Sequence, residues 1–147
     1  FGMGGSRVVR VELRNDHGQP LAWAVGGENV ELVVEAVALQ HLSSPIVGFV
    51  VKDRLGQTLF GDNTFIVYEH QPCECKVGQT LCARFQFQMP RMPVGDYSIT
   101  IAIADGTQQE HVQHQWIFDA ITFRSESTSI AAGLVGIPMA HISMDAR

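Results

Sequence analysis

The sequence has little charge, little cysteine and no long apolar run. Of its 147 residues, 17% are charged and 46% hydrophobic. That balance lets a single chain build a sizeable core and excludes extended disorder. Cations are the scarcer sign: ten Lys and Arg stand against 15 Asp and Glu, a formal net charge of −5. Proteins grip nucleic-acid backbones with clustered Lys and Arg, so nucleic acid is excluded as the main partner. No apolar stretch approaches the roughly 20 residues of a membrane helix. The start, FGMGGS, has neither the basic nor the apolar region of a signal peptide. Three cysteines, Cys73, Cys75 and Cys82, are an odd set for a secreted disulfide framework. A reducing, cytoplasmic setting is the simpler reading. Neither a G-x-x-x-x-G-K-[ST] phosphate loop nor a G-x-G-x-x-G turn is present, so neither ATP hydrolysis nor a bound cofactor is expected. There is no G-x-S-x-G elbow either.

What the chain does have is alternation. At residues 7–14, Val9, Val11 and Leu13 point one way and Arg10, Glu12 and Arg14 the other, the period of a half-buried strand. Residues 28–39 repeat this with Val30, Leu32, Val34, Ala36 and Ala38 against Glu31 and Glu35. Residues 45–53 carry Val47, Phe49 and Val51, and a turn at 53–57 leads into a return strand from Thr58. A further short strand is expected over 63–68. Residues 79–88 place Leu81, Ala83, Phe85 and Phe87 inward, with Cys82, Arg84, Gln86 and Gln88 outward. Residues 95–104 place Tyr97, Ile99, Ile101 and Ile103 inward, with Ser98, Thr100 and Ala102 outward. Mixed residues 111–118 and a short strand over 120–124 follow. No segment shows the 3.6-residue period of a helix. Many short strands between Gly, Pro, Asn and Asp turns predict an all-β, antiparallel sandwich. The expected organisation is a linker end over 1–6, the sandwich over 7–125, and a spacer and strand over 126–147. That terminal strand is open to exchange between two copies. Gly56 and Gly61 suit turns that need positive φ, and Asp53, Asn63 and Thr64 suit bonds to local backbone. These five read as fold markers.

Chemistry is thinner. His70, Cys73, Cys75 and Cys82 are the most metal-like cluster, but their spacing fits no common zinc motif, and structural residues are the better reading. His111 and His114, three apart, read as polar loop residues. Glu31 and Glu35 sit about 13 Å apart along one extended strand, too far for paired-carboxylate glycoside hydrolysis. No catalytic residue and no metal is assigned. Sugar binding asks for less: an aromatic face to stack on a ring, with amides, hydroxyls and guanidinium groups for its hydroxyls. Arg84, Gln86, Gln88, Ser98 and Thr100 form such rows if their two strands share one sheet, and His114 and Trp116 add stacking groups. The plain alternative is an ordinary solvated sheet face with Trp116 in the core.

Three segments carry a resemblance. VGFVVKDRLGQTLFGDNT at 47–64 resembles the G-hydrophobic-x-hydrophobic-x-D-x-x-G-x-x-[VIL]-[FY]-G-x-[ND]-T run of the Wzt C-terminal family. GDYSITIAIADG at 95–106 is similar to its G-x-Y-x-[LIV]-x-[LIV]-[AG] strand and turn. HQWIFDAITF at 114–123 resembles its aromatic segment ending in D-[NA]-A-x-x-F, shortened here because Ala120 directly follows Asp119. The glycine-rich start and GLVGIP at 133–138 also fit. The resemblance implies an immunoglobulin-like or jelly-roll sandwich. It implies a non-catalytic domain that binds finished O-antigen polysaccharide, often at a marked non-reducing end, and couples it to export. The implied partners are an attached ATPase domain, a Wzm-like membrane subunit, and a second copy with exchange of the terminal strand. The implied place is the cytoplasmic face of the bacterial inner membrane. The rivals are an immunoglobulin-like spacer or dimerisation module without a ligand and, further off, a glycan-modifying enzyme.

Overall fold

A computed structural model of the protein describes residues 2–106, 110–127 and 133–146. The elements are β1 (Ser6–Arg14), β2 (Trp23–Ala24), β3 (Asn29–Ala38), β4 (Pro45–Asp53), β5 (Thr58–Asn63), α1 (Phe65–Tyr68), β6 (Thr80–Gln88), β7 (Gly95–Gly106) and β8 (His111–Ser125). They form two sheets, β1-β3-β6 and β2-β8-β7-β4-β5. All pairings are antiparallel except the two-residue parallel contact of β2 with β8. A three-stranded sheet facing a sheet ordered 8-7-4-5 is an immunoglobulin-like sandwich.

The alternating strands bury one face each. Leu32, Val34 and Ala36 of β3, Val47 and Val51 of β4, and Ile99, Ile101 and Ile103 of β7 meet between the sheets. Phe49 packs edge-on to Phe85 and stacks on Phe87, tying β4 to β6 across the core. On the outer face of the small sheet, Arg10 pairs with Glu12 and Glu35, Arg14 with Glu12, and Arg84 with Glu31. Val33 lies beneath this lattice, between Glu12 and Arg84 in register, and is fully buried. The aliphatic stems of those long side chains cover it.

Three expectations need correction. Val9 is not inward: the register shifts between Val8 and Arg10, a bulge that passes the inward place to Val8. Residues 64–68 are not strand. Asn63 Oδ1 accepts the Phe65 N–H at 2.9 Å and turns the chain into the single helical turn α1. Gly61 is not held by positive φ, which Gly56 adopts at 82°. An added Cβ at Gly61 would stand 2.3 Å from the Phe49 carbonyl oxygen, so close approach of β4 is what excludes a side chain there.

Residues 111–118, which read as mixed, and the expected short strand at 120–124 are one strand, β8, interrupted by a bulge. Of the expected spacer and strand at 126–147, residues 128–132 and 147 lie outside the described residues. Residues 133–146 contain one isolated bridge, Gly136 with Arg91. At the other end, Met3 and Gly4 donate to the carbonyls of Gln113 and His114 before β1 begins.

Tyr97 pins the connection between β6 and β7. Its ring is buried against Phe123, and its hydroxyl donates to the Pro93 carbonyl at 2.7 Å. Burial, and secondarily the Asp53 charge, push its pKa up. The unfolded chain therefore loses this proton at lower pH than the native state, from about pH 10 upward. Stability contributed by Tyr97 is complete below that point and falls as pH rises through the native pKa. Alkaline urea melts should show a steeper loss of stability above about pH 10 in wild type than in Tyr97→Phe. Parallel curves would refute the linkage.

Candidate functional site

The outer face of the five-stranded sheet carries a trough built by register. Gly48 of β4 pairs with Asn63 of β5 on one side and Ala102 of β7 on the other, and Ala102 pairs with Trp116 of β8. Two small residues thus form the floor, with an amide wall and an indole wall. The depression is about 430 Å³, and Asp62 and Thr100 also line it. That volume falls within the range of small-molecule sites.

A bulge shapes the indole side. Ile99 pairs with Ile121 and Ile101 with Ile117, so Phe118, Asp119 and Ala120 together oppose Thr100 alone. Asp119 takes φ 52°, unlike every other described non-glycine residue, and its N–H donates to Thr100 Oγ1 at 3.3 Å. The bulge pushes Phe118 out of the sheet plane, where it stands exposed. Its ring lies 5.8 Å from that of Trp116, and Lys52 Nζ sits 5.2 Å above its centre. Two aromatic rings on a polar sheet face, one capped by a cation, are what an apolar ligand face with a hydroxylated rim requires.

Among the described residues, the polar wall keeps free groups. Asn63 uses Oδ1 for Phe65, leaving its NH₂ donors, and Asp62 uses Oδ1 for Asn63 N–H, leaving the second oxygen. Sequence reading placed Asn63 among fold markers and passed over Asp62. The signal that could have found them is the pairing of Gly48 with Asn63, which no single segment displays.

The sequence-expected set does not share one face. β6 and β7 belong to different sheets, so the condition that joined their rows fails. Arg84, Gln86 and Gln88 lie on the three-stranded sheet. Arg84 and Gln86 bond Glu31, and Gln88 bonds the Gly27 carbonyl. Ser98, Thr100 and Trp116 lie on the five-stranded sheet, where Thr100 is buried under the bulge. His114 is also buried. Its ring packs against Gly5, where an added Cβ would meet Nδ1 at 2.3 Å, so it has no face to offer a ligand.

A cavity of about 1100 Å³ lies elsewhere, in the seam between the edges of β5 and β6. Phe49, Phe60, Phe85 and Phe87 form its floor, with their rings turned on one another. Exposed Ile66, Val67 and Ile137 border it. Aliphatic borders and mutually packed rings suit a protein segment better than a sugar.

Among the described residues, no three His, Cys, Asp or Glu side chains gather as a metal site. Cys75 is buried, and burial, then the neighbouring Cys73, push its thiol pKa up, which makes it a poor thiolate ligand.

The family profile described as the Wzt C-terminal domain matches residues 1–137. The chain belongs to the Wzt C-terminal domain family. Wzt is the ATPase subunit of an ABC transporter. A solved structure titled "Crystal structure of the C-terminal domain of wzt" superposes with a TM-score of 0.82 at 17% identity, covering 98% of this chain and 87% of that chain. None of the curated proteins matches.

In this Wzt domain the family-like residues support the site from behind. Asp53 Oδ1 accepts the N–H groups of Leu55 and Gln57 and closes the β4–β5 turn. Thr64 Oγ1 accepts the Val47 N–H and holds the end of β5 beside the trough. No described helix is long and apolar enough to cross a membrane.

Proposed function

We propose that this Wzt domain binds finished O-antigen polysaccharide without catalysis, on the outer face of the five-stranded sheet, and couples it to export. The observation that carries the reading is the small-floored trough between Trp116 and Asn63. The apolar side of a sugar ring stacks on Trp116, while Asn63 NH₂ and the open Asp62 oxygen bond its hydroxyls. The bound part is the non-reducing end of the glycan. The domain works at the cytoplasmic face of the inner membrane, joined to an ATPase domain and a Wzm-like membrane subunit. Titration of the purified domain with O-polysaccharide from the source strain should show saturable heat without sugar release. A folded protein that gives no heat and no retardation in affinity electrophoresis would leave the spacer reading in its place.

The partner surface is the seam. The β5 and β6 edges are unpaired among the described residues, and Ile142 and Met144 of the C-terminal segment are 82% and 97% exposed in a single copy. Exposed apolar groups beside open strand edges suit strand addition between copies. In this reading the C-terminal segment of one copy fills the seam of the other. Sedimentation should give a dimer for wild type and a monomer for Val67→Glu, a change on the exposed border of the seam. A dimer unaffected by Val67→Glu and by Ile142→Glu would place the contact elsewhere.

A further inference from the structure

A second depression of about 240 Å³ lies on the same outer face. Lys52, Ser98 and Thr122 form its cross-strand row, through the pairs Lys52 with Ser98 and Ser98 with Thr122. Along β4 this row is four residues from Gly48 in the trough, or about 13 Å at the rise of a strand. Between the two stands Phe118, touching Trp116 on one side and capped by Lys52 on the other. Asp119, on the bulge, reaches into the second depression and not the first.

We infer that this second depression is a saccharide subsite of its own, taking an uncharged sugar further along the same glycan chain that occupies the Trp116 trough. The inference rests on the glycan reading of that trough. Three observations support it. First, the Ser98 and Thr122 hydroxyls and the Asp119 carboxylate have no partner among the described residues, although they line a common hollow. Together they offer two hydroxyls and a carboxylate acceptor to a vicinal diol. Second, Phe118 gives the chain an apolar ridge to cross, and Lys52 keeps its amine there instead of on a carboxylate. Third, the charges lining the hollow carry no positive excess, with two cations among three carboxylates. Lys52 and Arg54 face Asp53, Asp96 and Asp119, and Arg124 is already held by Glu126 and Asp96. An acidic substituent would find no net positive charge to hold it, so the hollow favours an uncharged sugar.

The test uses size-fractionated fragments from mild hydrolysis of the source strain's O-polysaccharide, titrated by calorimetry. Fragments long enough to span both hollows should bind wild type about tenfold tighter than short ones, the equivalent of one good set of polar contacts. In Ser98→Val/Thr122→Val, which keeps strand-forming residues, that ratio should fall to near one. Asp119→Gly, which suits the left-handed backbone, should also lower the ratio while melting no earlier than wild type. A ratio unchanged in both variants, or no gain with length in wild type, overturns the second subsite. So does affinity of the long fragments that falls steeply with added salt, which would mean an anionic contact. Trp116→Ala separates the two proposals: it should weaken fragments of every length. Normal binding by Trp116→Ala, with the length ratio lost in Ser98→Val/Thr122→Val, would sink the trough and keep the second hollow.

Discussion

Trp116→Ala should weaken binding of O-polysaccharide about thirtyfold, the loss expected when a buried aromatic anchor worth roughly 2 kcal/mol is removed. The ring packs on Phe118 and over Ala102 at the surface, so its removal opens no cavity between the sheets. The fold should survive, and calorimetry on the folded variant gives the affinity. Fluorescence gives a second readout, because the other tryptophan, Trp23, is exposed on β2. A glycan-induced spectral change should persist in Trp23→Ala and vanish in Trp116→Ala. Arg84→Ala is the comparison on the opposite sheet. Its guanidinium is half exposed and already paired with Glu31, so stability should change by less than about 1 kcal/mol and affinity not at all. A fall in affinity for Arg84→Ala alone would move the glycan to the three-stranded sheet.

That contrast locates what single-sequence reading can and cannot see. Alternation in residues 79–88 and 95–104 sorted inward from outward side chains correctly, because side-chain direction follows strand period alone. Which sheet each strand joins depends on pairings between distant residues, and no local pattern states it. Arg84 and Ser98 were therefore grouped on one face although β6 and β7 are in different sheets. His114 failed for a related reason. The register slips by one between Ile103 and Ala104, and the ring at that slip is covered by Gly5 from the opposite end of the chain. The bulge at Phe118–Ala120 was also hidden. In the sequence it shows only as a mixed stretch before a short strand, and its functional consequence, a ring standing exposed on the sheet face, is geometric. The resemblance to the Wzt family brought the fold within reach because its motifs are turn and strand chemistry. The same property leaves them silent about the ligand: Asp53 and Thr64 hold backbone, and the free polar atoms of Asp62 and Asn63 face the trough.

Gly61→Ala should destabilise the domain by about 2–3 kcal/mol, the cost of forcing a methyl group into a packed contact. For a chain of this length that lowers the melting temperature by roughly 5–10 °C. The cause is steric and not conformational. The new Cβ would lie 2.3 Å from the Phe49 carbonyl oxygen and 2.9 Å from Val50 Cγ1, and the first of these is backbone that cannot rotate away. Relief requires β5 to lift from β4, which carries Phe60 off the core and displaces Asp62 and Asn63 from the trough wall. Glycan affinity should therefore fall with stability. Gly56→Ala isolates the other mechanism: its φ of 82° opposes a side chain, yet nothing lies within 4 Å of the added carbon. The expected cost is about 1 kcal/mol. Gly56→Asn should recover most of it, because asparagine tolerates the left-handed region. No residue larger than glycine should rescue position 61. Calorimetric melts of the three variants would separate strain in the backbone from crowding between strands. Equal losses at 56 and 61, with glycan binding intact in both, would mean that β5 is not clamped to β4 and that the Asn63 wall does not depend on it.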